Sequence, residues 1–297
     1  LMNIYGKKSK VLLDPFMGSG TTLLEVTLHD NFKKAYGIDI NPLALLISKV
    51  KTTPIEPKIL AEEYKKLMQR CLEDKKNINF KQKNIEKPNF LNIDFWFKPQ
   101  VIIDLIIIKN NIELIENKAI RNFFLIAFSE IVRNASNTRN NEYKLYRLSE
   151  PILKKHNPDT ISLFREKAKE NIISMKEYFN GYNKNCQVKI LSEDTRQKTS
   201  IQDEEIDLIV TSPPYGDSRT TVAYGQFSRL SLQWLGLNNK DVFNIDRKSL
   251  GGIPTKDLRN NLNSPALQET LKKIEDNDST RARDVLSFYI DFDKCIE

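Results

Sequence analysis

The chain has 297 residues, of which 40% are hydrophobic and 29% are charged, and its net charge is +7. No apolar run reaches the roughly 18 residues that a membrane span needs. The chain has only two histidines and three cysteines that lie far apart in sequence, so a structural zinc site is not predicted. A globular protein of a reducing compartment such as the cytoplasm is indicated. The positive charge suits a polyanionic partner, although a lysine-rich composition alone also produces it.

The first elements along the chain predict a parallel sheet. An apolar strand at Val11–Leu13 leads through a glycine-containing turn into a helix at Thr21–Leu28. A second strand at Ala35–Ile40 leads through Asn41 and Pro42 into another helix. Two successive strand–turn–helix units are typical of an α/β fold with a Rossmann-like, doubly wound parallel sheet.

The middle of the chain, residues 55–184, is predicted to be a large helical insertion. Its apolar residues recur with helical spacing over several segments. One of these helices has Asp159 or Thr160 as its N-cap and ends near Gly181. Residues 1–54 and 185–297 then form the α/β frame.

The frame resumes with two further strands, in Cys186–Asp194 and in Glu205–Val210. A helix is predicted over Gly225–Leu237. Residues 238–278 form a polar stretch with scattered glycine and proline, and residues 279–297 close the chain as a helix. Four strands are therefore visible in the sequence.

The turn after the first strand is predicted to bind a cofactor. Its spacing, Phe-x-Gly-x-Gly, is not that of a phosphate-binding P-loop. The glycines let the backbone approach a ligand, and the following helix N-terminus adds exposed N–H groups. Asp39 ends the second strand, where doubly wound folds place a ribose-binding carboxylate, and Asp194 ends a later one. The candidate cofactor-binding residues are Asp14, Pro15, Phe16, Gly18, Gly20, Thr21, Asp39 and Asp194. A tight turn flanked by helix-capping acids is the alternative interpretation.

A second motif, Ser212-Pro213-Pro214-Tyr215, directly follows an apolar strand. Together the two motifs resemble the S-adenosylmethionine-dependent amino-methyltransferases of DNA, whose signature is this glycine turn and an [Asp/Asn/Ser]-Pro-Pro-[Tyr/Phe] tetrad. The resemblance covers residues 10–42 and 187–237. It implies a methyltransferase fold, S-adenosylmethionine as cofactor without a metal, and double-stranded DNA as substrate. Serine at the first position resembles the N4-cytosine subgroup, and aspartate or asparagine the N6-adenine subgroup.

The chemistry of amino methylation explains the tetrad. The amino lone pair of the base is delocalised into the ring, so the nitrogen is a poor nucleophile. Hydrogen-bond acceptors on its N–H groups localise that lone pair, and the resemblance gives this role to the Ser212 side chain and the Pro213 carbonyl, held rigidly by the prolines. Tyr215 offers a stacking face for a base flipped out of the duplex. The candidate catalytic residues are Ser212, Pro213, Pro214 and Tyr215. A rigid loop is the alternative.

Two segments carry basic and aromatic residues suited to contacting phosphates and base edges. The first also contains Tyr143 and Tyr146 and lies in the helical insertion, and the second follows the tetrad. The DNA-contact candidates are Arg133, Arg139, Lys144, Arg147, Arg219, Tyr224 and Arg229. A solvated surface loop is the alternative interpretation of each segment.

The chain departs from the resembled family in having fewer strands, and its helical insertion lies between the second and third of them. We therefore expect a fragment or half of a split enzyme, with an uncovered sheet edge and a complementary polypeptide that supplies the missing strands. A cognate restriction endonuclease is the other partner that the resemblance implies. Three alternative functions stay open: an N6-adenine DNA methyltransferase, an RNA guanine-N2 methyltransferase and an inactive nucleic-acid-binding fragment.

Overall fold

The computed structural model describes residues 2–77, 86–139, 142, 144–215, 224–259 and 262–296. Within these residues the strands are β1 (Val11–Asp14), β2 (Lys34–Ile38), β3 (Gln187–Leu191) and β4 (Leu208–Ile209). The helices of the same residues are α1 (Met2–Tyr5), α2 (Thr21–Val26), α3 (Pro42–Lys51), α4 (Pro57–Lys76), α5 (Ile93–Trp96), α6 (Pro99–Glu113), α7 (Lys118–Ala135), α8 (Glu150–Lys155), α9 (Thr160–Gly181), α10 (Tyr224–Trp234), α11 (Asn239–Lys248), α12 (Pro265–Glu275) and α13 (Ser279–Ile296).

The strands form one parallel sheet in the order β3-β2-β1-β4. In register, Leu12 lies beside Ala35 on one side and Leu208 on the other, and Ala35 lies beside Val188. The chain moves outward from β1 to β3 and then crosses to the other side of β1 with β4. This order confirms the predicted doubly wound α/β fold, and it places a ligand crevice at the carboxyl ends of β1 and β4.

One face of the sheet packs against α2. Leu12 and Ala35 are fully buried there, together with Leu23 and Val26 of α2 and, at 1% exposed, Phe32. Helix α2 forms because its apolar residues fall on the side that faces the strands. This packing fixes the glycine turn, which connects β1 to α2, relative to the sheet.

The opposite face carries a polar cluster around Glu205. Its carboxylate accepts hydrogen bonds from the Lys34 ammonium and from the Tyr36 hydroxyl, both on β2. The Lys189 ammonium lies 5.6 Å from the centroid of the Tyr36 ring. Because Glu205 belongs to the β3–β4 connection, these bonds attach that connection to the sheet. The hydrogen bond from Lys34, and to a smaller extent that from Tyr36, lowers the pKa of Glu205 from 4.5 to about 2.

Replacing Glu205 by glutamine is expected to lower the free energy of unfolding at pH 7. A carboxylate whose pKa is lowered by folding stabilises the folded state above its unfolded pKa, and this stabilisation is lost as the pH falls through the folded pKa. The difference in the free energy of unfolding between the variant and the unsubstituted chain should therefore become smaller as the pH falls from 4.5 to about 2. Added salt should also reduce this difference. Urea titrations across this pH range measure it, with the exposed neighbour Glu204→Gln as control. A difference independent of pH would contradict the prediction.

A second and larger core lies among the helices of the insertion, chiefly α4, α6, α7 and α9. Fully buried Leu105, Phe124, Phe128 and Phe164 belong to it. Trp234, from the far end of α10, is fully buried in the same core. The helix after the tetrad is therefore anchored in the helical insertion, although the sequence assigns it to the frame. Within the described part of the chain, no helix is long and apolar enough to cross a membrane.

The polar stretch 238–278 contains two regular helices, α11 and α12, that were not predicted. Asn238 caps α11 by accepting a hydrogen bond from the Asp241 N–H at 2.9 Å. Only Val242 and Ile245 of this helix are buried, three residues apart on one side. With so few apolar residues, the sequence shows no clear helical spacing. The Asn238 cap and the packing of one side of the helix stabilise it instead.

Candidate active site

A cavity of about 520 Å³ opens at the carboxyl ends of the strands. The turn after β1, the end of β2, residues 193–195 after β3 and the tetrad after β4 all line it. The start of α10 and the end of α11 close its remaining sides. Its size lies within the roughly 300–1,000 Å³ of small-molecule sites. The two predicted motifs therefore border a single cavity.

The glycine turn has a left-handed backbone at both of its glycines. Gly18 has a φ of 48° and Gly20 a φ of 72°, and the Gly20 N–H donates to the Met17 carbonyl at 2.8 Å. A Cβ on Gly20 would lie 2.5 Å from Ser48 Oγ and 3.0 Å from Ser48 Cα. A Cβ on Gly18 would meet no described atom within 4 Å. Gly20 thus lets α3 approach closely, whereas Gly18 leaves open space beside the cavity.

Replacing Gly20 by alanine is expected to be more destabilising than the same change at Gly236. Both have a positive φ, 72° and 97° respectively, and share the left-handed cost of about 1–2 kcal/mol. Only at Gly20 does the new methyl collide with Ser48, which adds roughly 1–3 kcal/mol. Urea denaturation of both variants measures the difference. Adding Ser48→Gly to Gly20→Ala should recover only part of the overpacking cost, because the Ser48 Cα remains and the hydroxyl bond to the Gly18 carbonyl is lost. Equal losses at the two glycines would contradict the prediction.

Asp39 fastens the turn to the next helix. Its Oδ2 accepts from the Gly18 N–H at 3.0 Å and its Oδ1 from the Asn41 N–H at 2.8 Å. Burial raises the pKa of Asp39, and the hydrogen bonds from Asn41 and Gly18 oppose that rise. Each carboxylate oxygen can accept a second hydrogen bond, and Asp39 lines the cavity. The position predicted for a ribose-binding carboxylate is therefore occupied by a preorganised acid.

Asp14 links the two motifs. It is 3% exposed, and its Oδ1 accepts from the Thr211 hydroxyl at 2.7 Å and from the Phe16 N–H at 3.2 Å. Thr211 is the residue just before the tetrad. This bond joins the end of β1 to the tetrad loop, so the position of one motif depends on the other.

Asp194 is held by a residue that the sequence analysis missed. The Arg196 guanidinium donates through Nη2 to Asp194 Oδ2 at 2.6 Å and through Nη1 to Asp291 Oδ2 at 3.0 Å. It also donates to the Lys248 carbonyl at 2.8 Å, and Asp291 accepts from the Gly251 N–H at 3.0 Å. The hydrogen bonds from the Arg196 side chain lower the pKa of Asp194. Arg196 therefore connects α11 and α13 to Asp194, which lines the cavity.

The tetrad lies at the mouth of this cavity. Ser212 and Pro214 line it, and the Tyr215 side chain is 75% exposed. An exposed ring beside a cavity is available to a large ligand that arrives from solvent. Phe16, Pro15 and the helix start at Thr21 line the same cavity from the glycine turn, so the predicted cofactor-binding residues lie together.

The outward-facing DNA-contact candidates lie on the segment after α7. Arg139 is 54% exposed and lies 5.9 Å from the centroid of the Tyr146 ring. Lys144 is partly exposed on the same segment. Arg147 packs 4.5 Å from the Phe95 ring centroid and pairs with Glu150 at 3.0 Å. These side chains form a basic and aromatic surface, and the prediction that they contact DNA stays a prediction.

Two other candidates point inward. Arg133 is 7% exposed, and Arg229 lies 4.4 Å from the Phe243 ring centroid and 3.4 Å from an Asp246 oxygen. Their burial does not support direct phosphate contact, because interleaved basic and aromatic residues in a sequence do not reveal which side chains turn into the protein. Tyr224 is 46% exposed and lines the cavity.

Tyr143 and Arg219 lie outside the described residues. Among the residues that the structure does describe, no group of three His, Cys, Asp or Glu side chains is arranged to hold a metal ion.

Comparison with known proteins identifies relatives of this chain. A profile of the D12 class N6 adenine-specific DNA methyltransferases matches residues 3–233. The chain is also 42% identical to the Type II methyltransferase M.MvaI of Kocuria varians over 311 aligned positions, which cover 97% of this chain. The chain spans 66% of the length of that relative. Comparison with solved structures gave no match.

Proposed function

Because the chain belongs to the D12 class N6 adenine-specific DNA methyltransferase family, we propose that it methylates an exocyclic amino group of a base in double-stranded DNA. One observation carries the proposal: the glycine turn and the tetrad border a single cavity, and the Thr211–Asp14 hydrogen bond of 2.7 Å joins them. A methyl donor and a base must meet in one site, and this arrangement supplies it.

S-adenosylmethionine is the cofactor that the family and the cavity support. When bound, it supplies an electrophilic methyl group on a sulfonium. The residues fit such a molecule, since Gly18 leaves open space and the carboxylates of Asp39 and Asp194 border the cavity. Asp39 is suited to ribose hydroxyls, because its carboxylate oxygens can accept further hydrogen bonds from them. Asp194 is suited to an amino group of the cofactor.

The tetrad is proposed to prepare the acceptor nitrogen. The Ser212 hydroxyl and the Pro213 carbonyl accept hydrogen bonds from its two N–H groups. These bonds localise the nitrogen lone pair, which then points toward the methyl donor. Pro214 restricts the backbone, so the acceptors need no reorganisation during the reaction. Tyr215, at 75% exposed, stacks on the flipped base.

The acceptor base has two candidates. The family description names N6 of adenine, so adenine is better supported than the cytosine favoured by the sequence analysis. Cytosine N4 stays as the second candidate because of one observation. The first tetrad position is the neutral Ser212, which resembles the cytosine subgroup, whereas aspartate or asparagine at that position resembles the adenine subgroup.

A restriction–modification role is proposed from the relative, which is named a Type II methyltransferase. A cognate endonuclease is then the expected functional partner. A second polypeptide that completes the sheet also stays a proposal. It is supported by Ile209, which is 59% exposed on the short strand β4.

The deciding experiment is nucleoside analysis after incubation with labelled S-adenosylmethionine and unmethylated DNA, with transfer RNA in parallel. N6-methyladenine or N4-methylcytosine in DNA, formed far more slowly by Ser212→Ala, supports the proposal and identifies the base. Methylguanosine in RNA would overturn it in favour of an RNA methyltransferase. Binding of DNA without any methyl transfer would overturn it in favour of a non-catalytic protein.

A further inference from the structure

Arg133 is buried against the residue whose ring lines the cavity. It lies on α7 in the helical insertion and is 7% exposed. Its guanidinium carbon is 4.2 Å from the centroid of the Phe227 ring. Nη1 donates to the Phe227 carbonyl at 3.3 Å, and Nη2 donates to the Glu142 carbonyl. One side chain therefore holds both the ring and the backbone of Phe227.

Phe227 presents its remaining surface to the cavity. It is 42% exposed and borders the same cavity as Ser212. Tyr224, 46% exposed, lies one turn earlier on α10 and borders the cavity as well. Residues three apart in a helix share a face, so these two rings form an aromatic wall beside the tetrad.

Helix α10, which carries this wall, is fastened on both sides. The Ser231 hydroxyl donates to the Ser129 carbonyl of α7 at 2.6 Å. The Asn41 amide, at the end of β2, donates to the Ser228 hydroxyl at 3.2 Å. The position of the Phe227 ring is thus determined jointly by the helical insertion and by the frame.

Packing alone does not require an arginine at this position. An apolar side chain of similar volume would fill the site without removing a cation from water. Arg133 Nε is buried without a hydrogen-bond partner among the described residues, so the site is not optimised for the charge. What the guanidinium provides is a planar group that stacks on the ring and at the same time bonds two carbonyls.

We propose that Arg133 is a positioning residue that holds Phe227 as a stacking wall for the acceptor base. The inference rests on the proposed function, because it needs a base in this cavity. It gives the helical insertion a role in shaping the catalytic pocket. It also replaces the predicted contact between Arg133 and DNA.

The test compares Arg133→Met and Phe227→Leu in methyl transfer and in cofactor binding. Both should raise KM for DNA, or lower kcat/KM, about tenfold or more, since a base stacked on an aromatic ring loses that contact when the ring is removed or displaced. The Kd for S-adenosylmethionine should change less than about twofold. Arg133→Lys should recover part of the loss, because a lysine keeps the cation over the ring but cannot bond both carbonyls.

A fluorescent base gives a readout that a merely structural role would not change. With 2-aminopurine at the methylated position, Phe227→Leu and Arg133→Met should increase the emission of the bound duplex, because a ring that quenches it is removed or displaced. Matched controls are Phe243→Leu, whose ring faces Arg229 at 4.4 Å, and Arg70→Met, whose guanidinium bonds the Asn111 carbonyl at 3.3 Å. These controls should leave KM and emission unchanged.

The outcomes separate the inference from the proposed function. An active unsubstituted protein with unchanged KM and emission in Phe227→Leu overturns the stacking wall. Loss of S-adenosylmethionine binding in Arg133→Met, in parallel with loss of DNA binding, overturns the positioning role in favour of a structural one. No methyl transfer by the unsubstituted protein overturns the proposed function, and the inference with it.

Discussion

Replacing Ser212 by alanine is expected to lower kcat for methyl transfer by about 10²–10³-fold, the usual cost of one preorganised polar group in an active site. The serine hydroxyl is one of two proposed acceptors for the amino hydrogens of the base. Its removal leaves the Pro213 carbonyl in place, so a residual rate should persist. The Kd for S-adenosylmethionine should stay the same, because Asp39 and the glycine turn bind that molecule in our proposal.

Single-turnover kinetics with saturating DNA measure this effect without a contribution from product release. Ser129→Ala is the matched control, since it also removes one serine hydroxyl. Among the described residues, the Ser129 hydroxyl bonds only the Ile126 carbonyl of its own helix, at 2.8 Å. A Ser212→Ala variant with an unchanged kcat would show that the side chain does not contact the reacting amino group. Loss of cofactor binding with loss of rate would place Ser212 in the cofactor site instead.

Replacing Trp234 by alanine is expected to lower the free energy of unfolding by about 3–5 kcal/mol. Trp234 is fully buried, and its ring lies 5.7–6.1 Å from the ring centroids of Phe97, Phe90 and Phe128 in edge-to-face geometry. The cavity left behind would detach the end of α10 from the insertion. Because α10 also carries Phe227, methyl transfer should fall as well.

Chemical denaturation followed by circular dichroism measures the loss without relying on tryptophan emission. Trp234→Phe is the control, since it keeps an aromatic ring and removes only part of the volume. The Trp234 Nε1 is buried without an acceptor in the described part of the chain, so removing this N–H costs no hydrogen bond. If alanine and phenylalanine destabilise equally, the aromatic packing is not what anchors α10.

The parts of the fold that local sequence determines were the parts that could be predicted. The strand–turn–helix units are recognisable because apolar runs, glycines and caps lie within a few residues of one another. The Asp159 cap of α9 is an example, because its oxygen accepts from the Ser162 N–H only three residues away. The glycine turn and Asp39 were singled out from the same kind of local pattern, and both border the cavity.

What could not be predicted depends on partners that are distant in sequence. Arg196 bonds residues 52 and 95 positions further along the chain, and no local pattern marks such contacts. Arg133 faces Phe227, 94 positions away, so its sequence neighbours suggested an exposed basic surface. The packing of Trp234 into the insertion likewise follows from tertiary contacts and not from the helix itself.

Arg196 bonds Asp194, Asp291 and the Lys248 carbonyl. We therefore expect the stability of α13 to depend on whether a ligand fills the cavity. A ligand that binds only when Asp194 is in place stabilises every segment bonded to Arg196, by about 2.7 kcal/mol at a hundredfold excess over Kd. Amide hydrogens of α13 should then exchange more slowly with solvent when the cavity is filled, although that helix is almost 100 residues from β3. If the proposed function is right, we expect cofactor occupancy and protection of α13 against exchange to follow a single equilibrium.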